Sequence, residues 1–330
     1  MKTPSSRRSA DDRGFRLGTG FFALLVVLLV AGIFFELYRT SQLSLSKFGF
    51  RFWTARTWDP VSGEFGALPF IWGTLYSSIL AMLISTPIAL GIAIFLSELS
   101  PRRLRTPLAF LTELLAAVPS IVYGLWGVFV LVPIVRKLQI ATPDWLKKVP
   151  LFKGPPLGVG MLSAGLILAV MVIPFTSSVA REVLKAVPAT QREAAYALGA
   201  TRWEAILAAL RFGRTGIIGA VILGFGRAVG ETMAVTMVIG NNPQISWSLY
   251  APQYSMASVI ANEFTEAADN LYLSALIEIG LVLFVITVII NAISRLLIWS
   301  VTREIKAKVP KPVSTMALAA PTPTAGGGGK

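Results

Sequence analysis

FGALPFIWGTLYSSILAMLISTPIALGIAIFLS, residues 65–97, contains no charged side chain. A helix needs about 20 mostly apolar residues to cross the hydrocarbon core of a bilayer, and this run exceeds that length. Pro87 lies inside it and predicts a kink, which a lipid-embedded helix tolerates where its neighbours satisfy the freed carbonyl. Working outward, five further apolar runs appear at 17–35 and, with approximate limits, 108–135, 157–180, 215–239 and 271–294. The first has Arg7, Arg8, Arg13 and Arg16 before it and Glu36-Leu37-Tyr38-Arg39 after it. It is too long for a secretory signal and lacks a small-residue cleavage site, so it reads as an anchor. The expected fold class is an all-α, polytopic bundle of six transmembrane helices.

Composition points the same way. The 330 residues are 54% hydrophobic and only 14% charged, with a mean hydropathy of +0.68; a soluble domain carries roughly a quarter charged residues. There is no cysteine and no histidine, which removes thiol chemistry, disulfides, histidine triads and the usual zinc sites. No metal site and no catalytic residue is expected. The net charge of +13 would fit nucleic acid if the basic residues formed one patch. They lie instead in clusters between the apolar runs, so lipid and not nucleic acid is the expected partner.

Those clusters also orient the chain. With both termini in the cytoplasm, 20 of the 30 lysines and arginines fall in inside segments and 9 in outside segments, leaving Arg227 within a span. That bias follows the positive-inside rule, although the basic loop 136–153 runs against it. The expected organisation is a disordered cytoplasmic tail at 1–16, a first transmembrane helix at 17–37 and a periplasmic segment at 38–68. A five-helix transmembrane domain at 69–300 and a disordered tail at 301–330 follow, all in the cytoplasmic (inner) membrane. The aromatics Phe48, Phe50, Phe52, Trp53 and Trp58 of the periplasmic segment suit an interfacial belt or a docking surface. Gly124, Gly127, Ser163, Gly165, Gly219 and Gly224 predict close helix packing.

Between the fourth and fifth runs the chain reads Val187-Pro-Ala-Thr-Gln-Arg-Glu-Ala-Ala-Tyr-Ala-Leu-Gly-Ala-Thr-Arg-Trp-Glu-Ala-Ile. Pro188 suits a first turn, Thr190 with Glu193 makes one capping box, and Thr201 with Glu204 makes another. Gly199 separates the two helices so predicted. Such a hairpin is either an ordinary surface feature or a handle for another protein. Glu193-Ala194-Ala195 followed by Gly199 resembles the EAA loop of ABC-importer permeases, and the resemblance implies a coupling loop at 186–206 that docks on an ATPase subunit. The Leu-Pro pair that the family carries before the next span is replaced here by Leu210-Arg211-Phe212-Gly213.

The fifth run contains Gly224-Phe-Gly-Arg-Ala-Val-Gly-Glu-Thr-Met-Ala-Val. An arginine at mid-span costs roughly 2.5–3.5 kcal/mol on insertion scales and should face the bundle interior or water. Glu231, four residues after Arg227, would share its helix face, either as a neutralising ion pair or as part of a path for an anion. This run resembles the signature of the C-type permease subunit of phosphate-specific ABC importers. Pro119-Ser-Ile-Val-Tyr-Gly-Leu-Trp-Gly, Ala261-Asn-Glu-Phe and Glu278-Ile-Gly-Leu extend the resemblance over roughly 60–300. It implies a type I importer fold with a second permease subunit, two ATPase subunits and a periplasmic phosphate-binding protein. It implies no cofactor in this chain, ATP and magnesium being held by the ATPase.

An arginine fork can hold two phosphate oxygens at once, so the expected substrate path comprises Arg227, Glu231 and Glu278. Counting residues along the fifth and sixth runs puts Glu231 and Glu278 at one depth, where both could flank Arg227; alternatively, Glu278 snorkels to the surface. Two other functions share these features. One is the same fold importing sulfate, molybdate or another oxyanion; the other is an ion-coupled secondary transporter, for which no internal repeat is visible.

Overall fold

The computed structural model describes residues 5–308, and among them every regular element is a helix. Helix α1 (Ser5–Thr40) carries the first apolar run. Short helices α2 (Gln42–Phe48) and α3 (Arg51–Thr54) follow, then α4 (Leu68–Ile94), which continues into a π turn at Phe95–Leu99. Residues 5–16 and 301–308, expected as disordered tail, continue the terminal helices. No proline interrupts either stretch, and extending a helix costs far less than nucleating one. The remainder of both expected tails, 1–4 and 309–330, lies outside the described residues.

The third crossing differs from the expected continuous run. Helix α5 (Arg102–Ala117) stops before Pro119, and α6 (Ser120–Trp126), a π turn at Gly127–Leu131 and α7 (Val132–Ala141) follow. Proline cannot continue the i to i−4 ladder, and it pushes the preceding residue out of the helical region; Val118 sits at ψ 130°. The segment long and apolar enough to span is Ser120–Ala141. One turn, α8 (Asp144–Lys147), precedes α9 (Met161–Lys185), the central helix.

Helices α10 (Ala189–Ala197) and α11 (Arg202–Phe212) form the expected hairpin. Helix α12 (Arg214–Val229) leaves α11 at a 69° bend. It stops well short of the expected limit near residue 239. After the break at 230–232 come α13 (Met233–Thr236), a long loop, α14 (Met256–Glu263) and α15 (Asn270–Lys308). The α12–α13 unit still crosses. A β-carbon built on Gly216 would lie 2.6 Å from Val183 Cγ1, near one end of α9. The Val238 carbonyl accepts from Gly160 N–H at the other end. With the five continuous spans at 15–40, 68–99, 120–141, 161–185 and 270–296, the chain crosses six times.

The aromatic segment after α1 is not a surface belt. Phe52 and Trp58 are buried with Phe65, Phe70, Tyr254, Met256 and Ile279, while Phe50 is 92% exposed. Glu263 Oε2 accepts from Trp58 Nε1 at 2.8 Å and Tyr272 Oη at 2.7 Å, fixing this segment to α14 and α15.

Close contact between α12 and α9 depends on Gly224, where a β-carbon would collide with Thr176 Oγ1. Gly226, two residues on, has nothing within 4 Å of that position. Gly224→Val is expected to destabilise the bundle by about 1–3 kcal/mol through overpacking, while Gly226→Ala leaves it unchanged or slightly stabilised. Thermal unfolding of the detergent-solubilised protein checks the pair.

Candidate functional site

The expected site residues fall in three places at different depths. At the hairpin, Gly199 has φ +83° with open space around its β-carbon position. This is the left-handed end that favours glycine. The Thr201–Glu204 capping box forms. The N–H and hydroxyl of Thr201 hold the Glu204 carboxyl below the usual range, so this cap persists on acidification and is lost only once pH falls through that lowered range.

The other expected box does not form. Pro188 takes the N-cap position at ψ 138° with no side-chain cap, which places Thr190 inside the first turn. Glu193 and Ala194 are exposed. Ala195 and Gly199 line a groove of about 500 Å³ with Leu198, Glu204, Leu207 and Arg211. Leu198 is 89% exposed and Trp203 60%. A notched surface with exposed Leu198 and Trp203 beside the charged Glu204 and Arg211, on a projecting hairpin, suits a protein partner.

What holds the hairpin to the bundle was not singled out in the sequence. Arg192 makes a two-pronged pair with Glu98, its Nε lying 3.1 Å from Oε2. It also donates to the Leu184 and Val187 carbonyls, both at 2.9 Å. Arg202 donates to the Glu98 carbonyl at 3.0 Å. Glu98 sits on the π turn that ends α4. Its signal in the sequence was its position as the first charge after the uncharged run. A second cluster joins α9 to α5, where Arg181 pairs with Glu113 and Glu182 at 2.8 Å each.

Deeper in the bundle, Arg227 occupies the last turn of α12, where a cation complements the helix C-terminus. Its Cζ lies 5.3 Å from the centre of the Phe175 ring, within cation–π range. Phe175 falls near the middle of α9, so Arg227 is at mid-bundle depth even though its helix ends there. Its Nε is buried without a hydrogen-bond partner. Beyond it Gly230 and Met233 are exposed on this chain, so the break opens onto a face that the bundle leaves uncovered.

Glu231 is not on the Arg227 helix face. Glycine at 226 and 230 weakens the helix, α12 ends at Val229, and the Glu231 carboxylate accepts from Ala234 N–H at 3.3 Å at the start of α13. No ion pair joins Glu231 to Arg227 among the described residues.

Glu278 does not share their depth. A β-carbon at Gly219 would lie 3.9 Å from Ile298 Cδ1, and Phe225 lines one cavity with Ile290 and Ile293. These contacts fix the antiparallel register of α12 and α15 and set Arg227 level with about residue 290. Glu278 is then roughly 18 Å further along α15 at 1.5 Å per residue. The equal-depth expectation failed because it took Arg227 and the middle of the sixth run to be level, whereas the α12–α15 register sets Arg227 nearer the far end of α15. Glu278 does not snorkel either; it is 0% exposed. No group of three or more acidic, histidine or cysteine side chains able to hold a metal occurs among the described residues.

Comparison with known proteins adds the family. The sequence profile of binding-protein-dependent transport system inner membrane components matches residues 85–303. A phosphate transport system permease protein PstC from Mesorhizobium japonicum is 46% identical over 303 residues, covering 88% of this chain and 93% of the relative. The protein of that name from Pasteurella multocida is 48% identical over 296 residues, covering 88% and 92%. A probable PstC from Methanocaldococcus jannaschii is 37% identical over 280 residues, covering 83% and 88%. Among solved structures, the inward-facing MetNI methionine ABC transporter contains a chain that matches with TM-score 0.53 at 16% identity, over 70% of this chain and 94% of that one.

Breaking the Glu98–Arg192 pair should free the hairpin without unfolding the bundle. Glu98→Gln is expected to raise hydrogen exchange across Ala189–Ala197 by about tenfold, the equivalent of ~1.4 kcal/mol. Exchange along α9 should stay unchanged.

Proposed function

This chain belongs to the family of binding-protein-dependent transport system inner membrane components, and from that premise we propose that it is the permease subunit of an ATP-driven importer that carries inorganic phosphate across the inner membrane. The observation that carries the phosphate reading is Arg227. It is a guanidinium at mid-bundle depth, half-buried, with an unbonded Nε, beside a helix break on an uncovered face. Its planar fork can hold two oxygens of a phosphate in a setting where lipid excludes the anion. The PstC relatives, at up to 48% identity across most of the chain, support the same substrate.

One chain supplies one wall of such a path, and the uncovered break faces a second permease subunit that supplies the other. Arg227 gives the fixed positive charge. Glu231, held at the start of α13, lies close enough along the chain to limit how tightly the anion is retained, since conduction needs release as well as entry. Ala195, Gly199 and the exposed Leu198 present the groove to a partner ATPase, with Glu193 and Ala194 exposed on the same helix. The two ATPase subunits hold ATP and magnesium; this chain holds no cofactor. The hairpin end and both termini face the cytoplasm, and the opposite end meets a periplasmic phosphate-binding protein.

The decisive experiment is radiolabelled phosphate uptake in proteoliposomes containing the full set of subunits, with and without ATP, and with sulfate as competitor. ATP-dependent uptake that sulfate does not reduce supports the reading. Sulfate competition at equal concentration transfers it to a broader oxyanion importer, and uptake driven by an ion gradient without ATP removes it. Arg227→Lys keeps the charge and loses the fork, so uptake should fall by at least about tenfold, as expected for losing a charge-assisted contact of ~1.5–3 kcal/mol. Assembly, read by co-purification, should be retained. Gly199→Val forces a β-branched residue into a left-handed conformation; it should cost ATPase co-purification and uptake while membrane insertion stays normal.

A further inference from the structure

The transport reading leaves one buried acid without a task. Glu278, on α15, is 0% exposed, and neither carboxyl oxygen has a hydrogen-bond partner or an ion pair among the described residues. The nearest polar group on the facing element is the hydroxyl of Ser44, on α2, whose own N–H bonds α15 one turn before Glu278. That hydroxyl is itself fully buried and unbonded. One turn away, Ser274 links the same elements: its Oγ accepts from Ser44 N–H at 3.1 Å and donates to the Thr40 carbonyl at 3.1 Å. The carboxyl and the hydroxyl are therefore two orphan groups at the α2–α15 contact, where the α15 residues on either side of Glu278, Ala275, Leu276, Ile279 and Val282, are buried in an apolar cluster.

No cation nearby settles that acid. On α1, Glu36 and Arg39 are paired with each other at 3.8 Å and exposed, and Tyr38 is exposed on the face of α1 that lines a separate groove. On α2, Lys47 donates to the Gly63 carbonyl at 3.0 Å. On α14, Glu263 is occupied by Trp58 and Tyr272, the latter on α15 itself. On α12, Arg227 lies roughly 18 Å away along the axis by the register above. A bare carboxylate in such surroundings carries the full penalty of a desolvated, unpaired charge. A single proton removes it. The carboxyl becomes a donor that the Ser44 hydroxyl can accept, so one hydrogen bond joins the two groups with no unpaired charge left in the apolar contact.

We propose that Glu278 and Ser44 form a proton-binding site that ties α2, and with it the aromatic segment 41–65, to α15. With the proton bound, the segment is held onto the bundle at the end opposite the hairpin. With the proton lost, the ionised Glu278 draws in water and α2 separates from α15. This assigns Glu278 a place outside the anion path, and it stands whether or not the transported ion is phosphate.

Infrared spectra of the purified chain in lipid nanodiscs, recorded across a pH series, test this directly. A protonated-carboxyl C=O band should be present in the wild type, fade as pH rises, and be missing from Glu278→Gln. Ser44→Ala should leave the band in place but move its frequency, because the hydrogen-bond acceptor is gone. Protection of the Gln42–Phe48 amides, taken as exchange relative to the intrinsic rate at each pH, should fall as pH rises in the wild type and stay constant in Glu278→Gln, whose amide holds the neutral form at every pH. The absence of a titrating band in the wild type, its persistence in Glu278→Gln, or equal pH dependence of α2 exchange in both proteins would each overturn the proposal. So would protection of α2 that follows sodium concentration instead of pH.

Discussion

Three hydrogen bonds at the start of α9 hold the rest of the bundle in register. Gly160, Met161 and Leu162 donate their N–H groups to the carbonyls of Val238, Ala251 and Leu249. The first N–H groups of any helix have no partner within it, and at membrane depth no water replaces one. Here the partners come from the segment that follows the break after α12. The same bonds therefore satisfy α9 and anchor the far side of the break. Together with the packing of Ala234, Val235, Val238 and Ile239 against Tyr123 and Ile167, that anchor keeps the segment after Val229 among the spans.

From α9 the constraint spreads to both functional regions. Along its length, α9 packs against α4 and α12, the latter at a distance set by Gly224. Near the other end of α9, Arg181 binds α5 through Glu113, and the chain turns into the hairpin. Glu98, at the end of α4, then grips Arg192 and Arg202. The groove on the hairpin and the arginine at mid-bundle depth are thus borne on elements that share one packed axis. A displacement of the hairpin reaches α4 through the Glu98 clamp and α12 through the bend at Gly213, both of which lie against α9. That is a contiguous physical route of the kind coupling between distant sites can use.

Buried polar groups divide into two kinds in this structure. Arg192, Glu98 and Glu263 are fully engaged and fix the positions of segments. Arg227 and Glu278 are among those left incomplete, one missing a partner for Nε, as Arg105 and Arg181 also are, and the other for both oxygens. In a low-dielectric interior an incomplete group is costly and is retained where something else completes it. An anion suits the first and a proton the second, and the register of α12 against α15 keeps these two requirements apart.

The apolar runs by themselves determined the all-α class, the number of crossings and the place of the hairpin, because partition into lipid depends on local composition alone. Gly199 and the Thr201–Glu204 box were equally legible, since turn and cap chemistry acts within four residues. Pro119 carried the break in the third run in plain view, although hydropathy runs straight through it. Tertiary structure decided the rest. The end of α12 at Val229 is not fixed by hydropathy; the break is held by the bonds from α9 to Val238, Leu249 and Ala251, by the Glu231–Ala234 bond and by the packing of Ala234, Val235 and Val238 in the core. That break moved Glu231 off the Arg227 face, and the α12–α15 register separated Glu278 from both. The pairing of Glu98 with Arg192, 94 positions apart, and the burial of Phe52 and Trp58 likewise depend on which helices meet. A sequence records how each segment partitions; which side chains complete one another is fixed only when the helices pack.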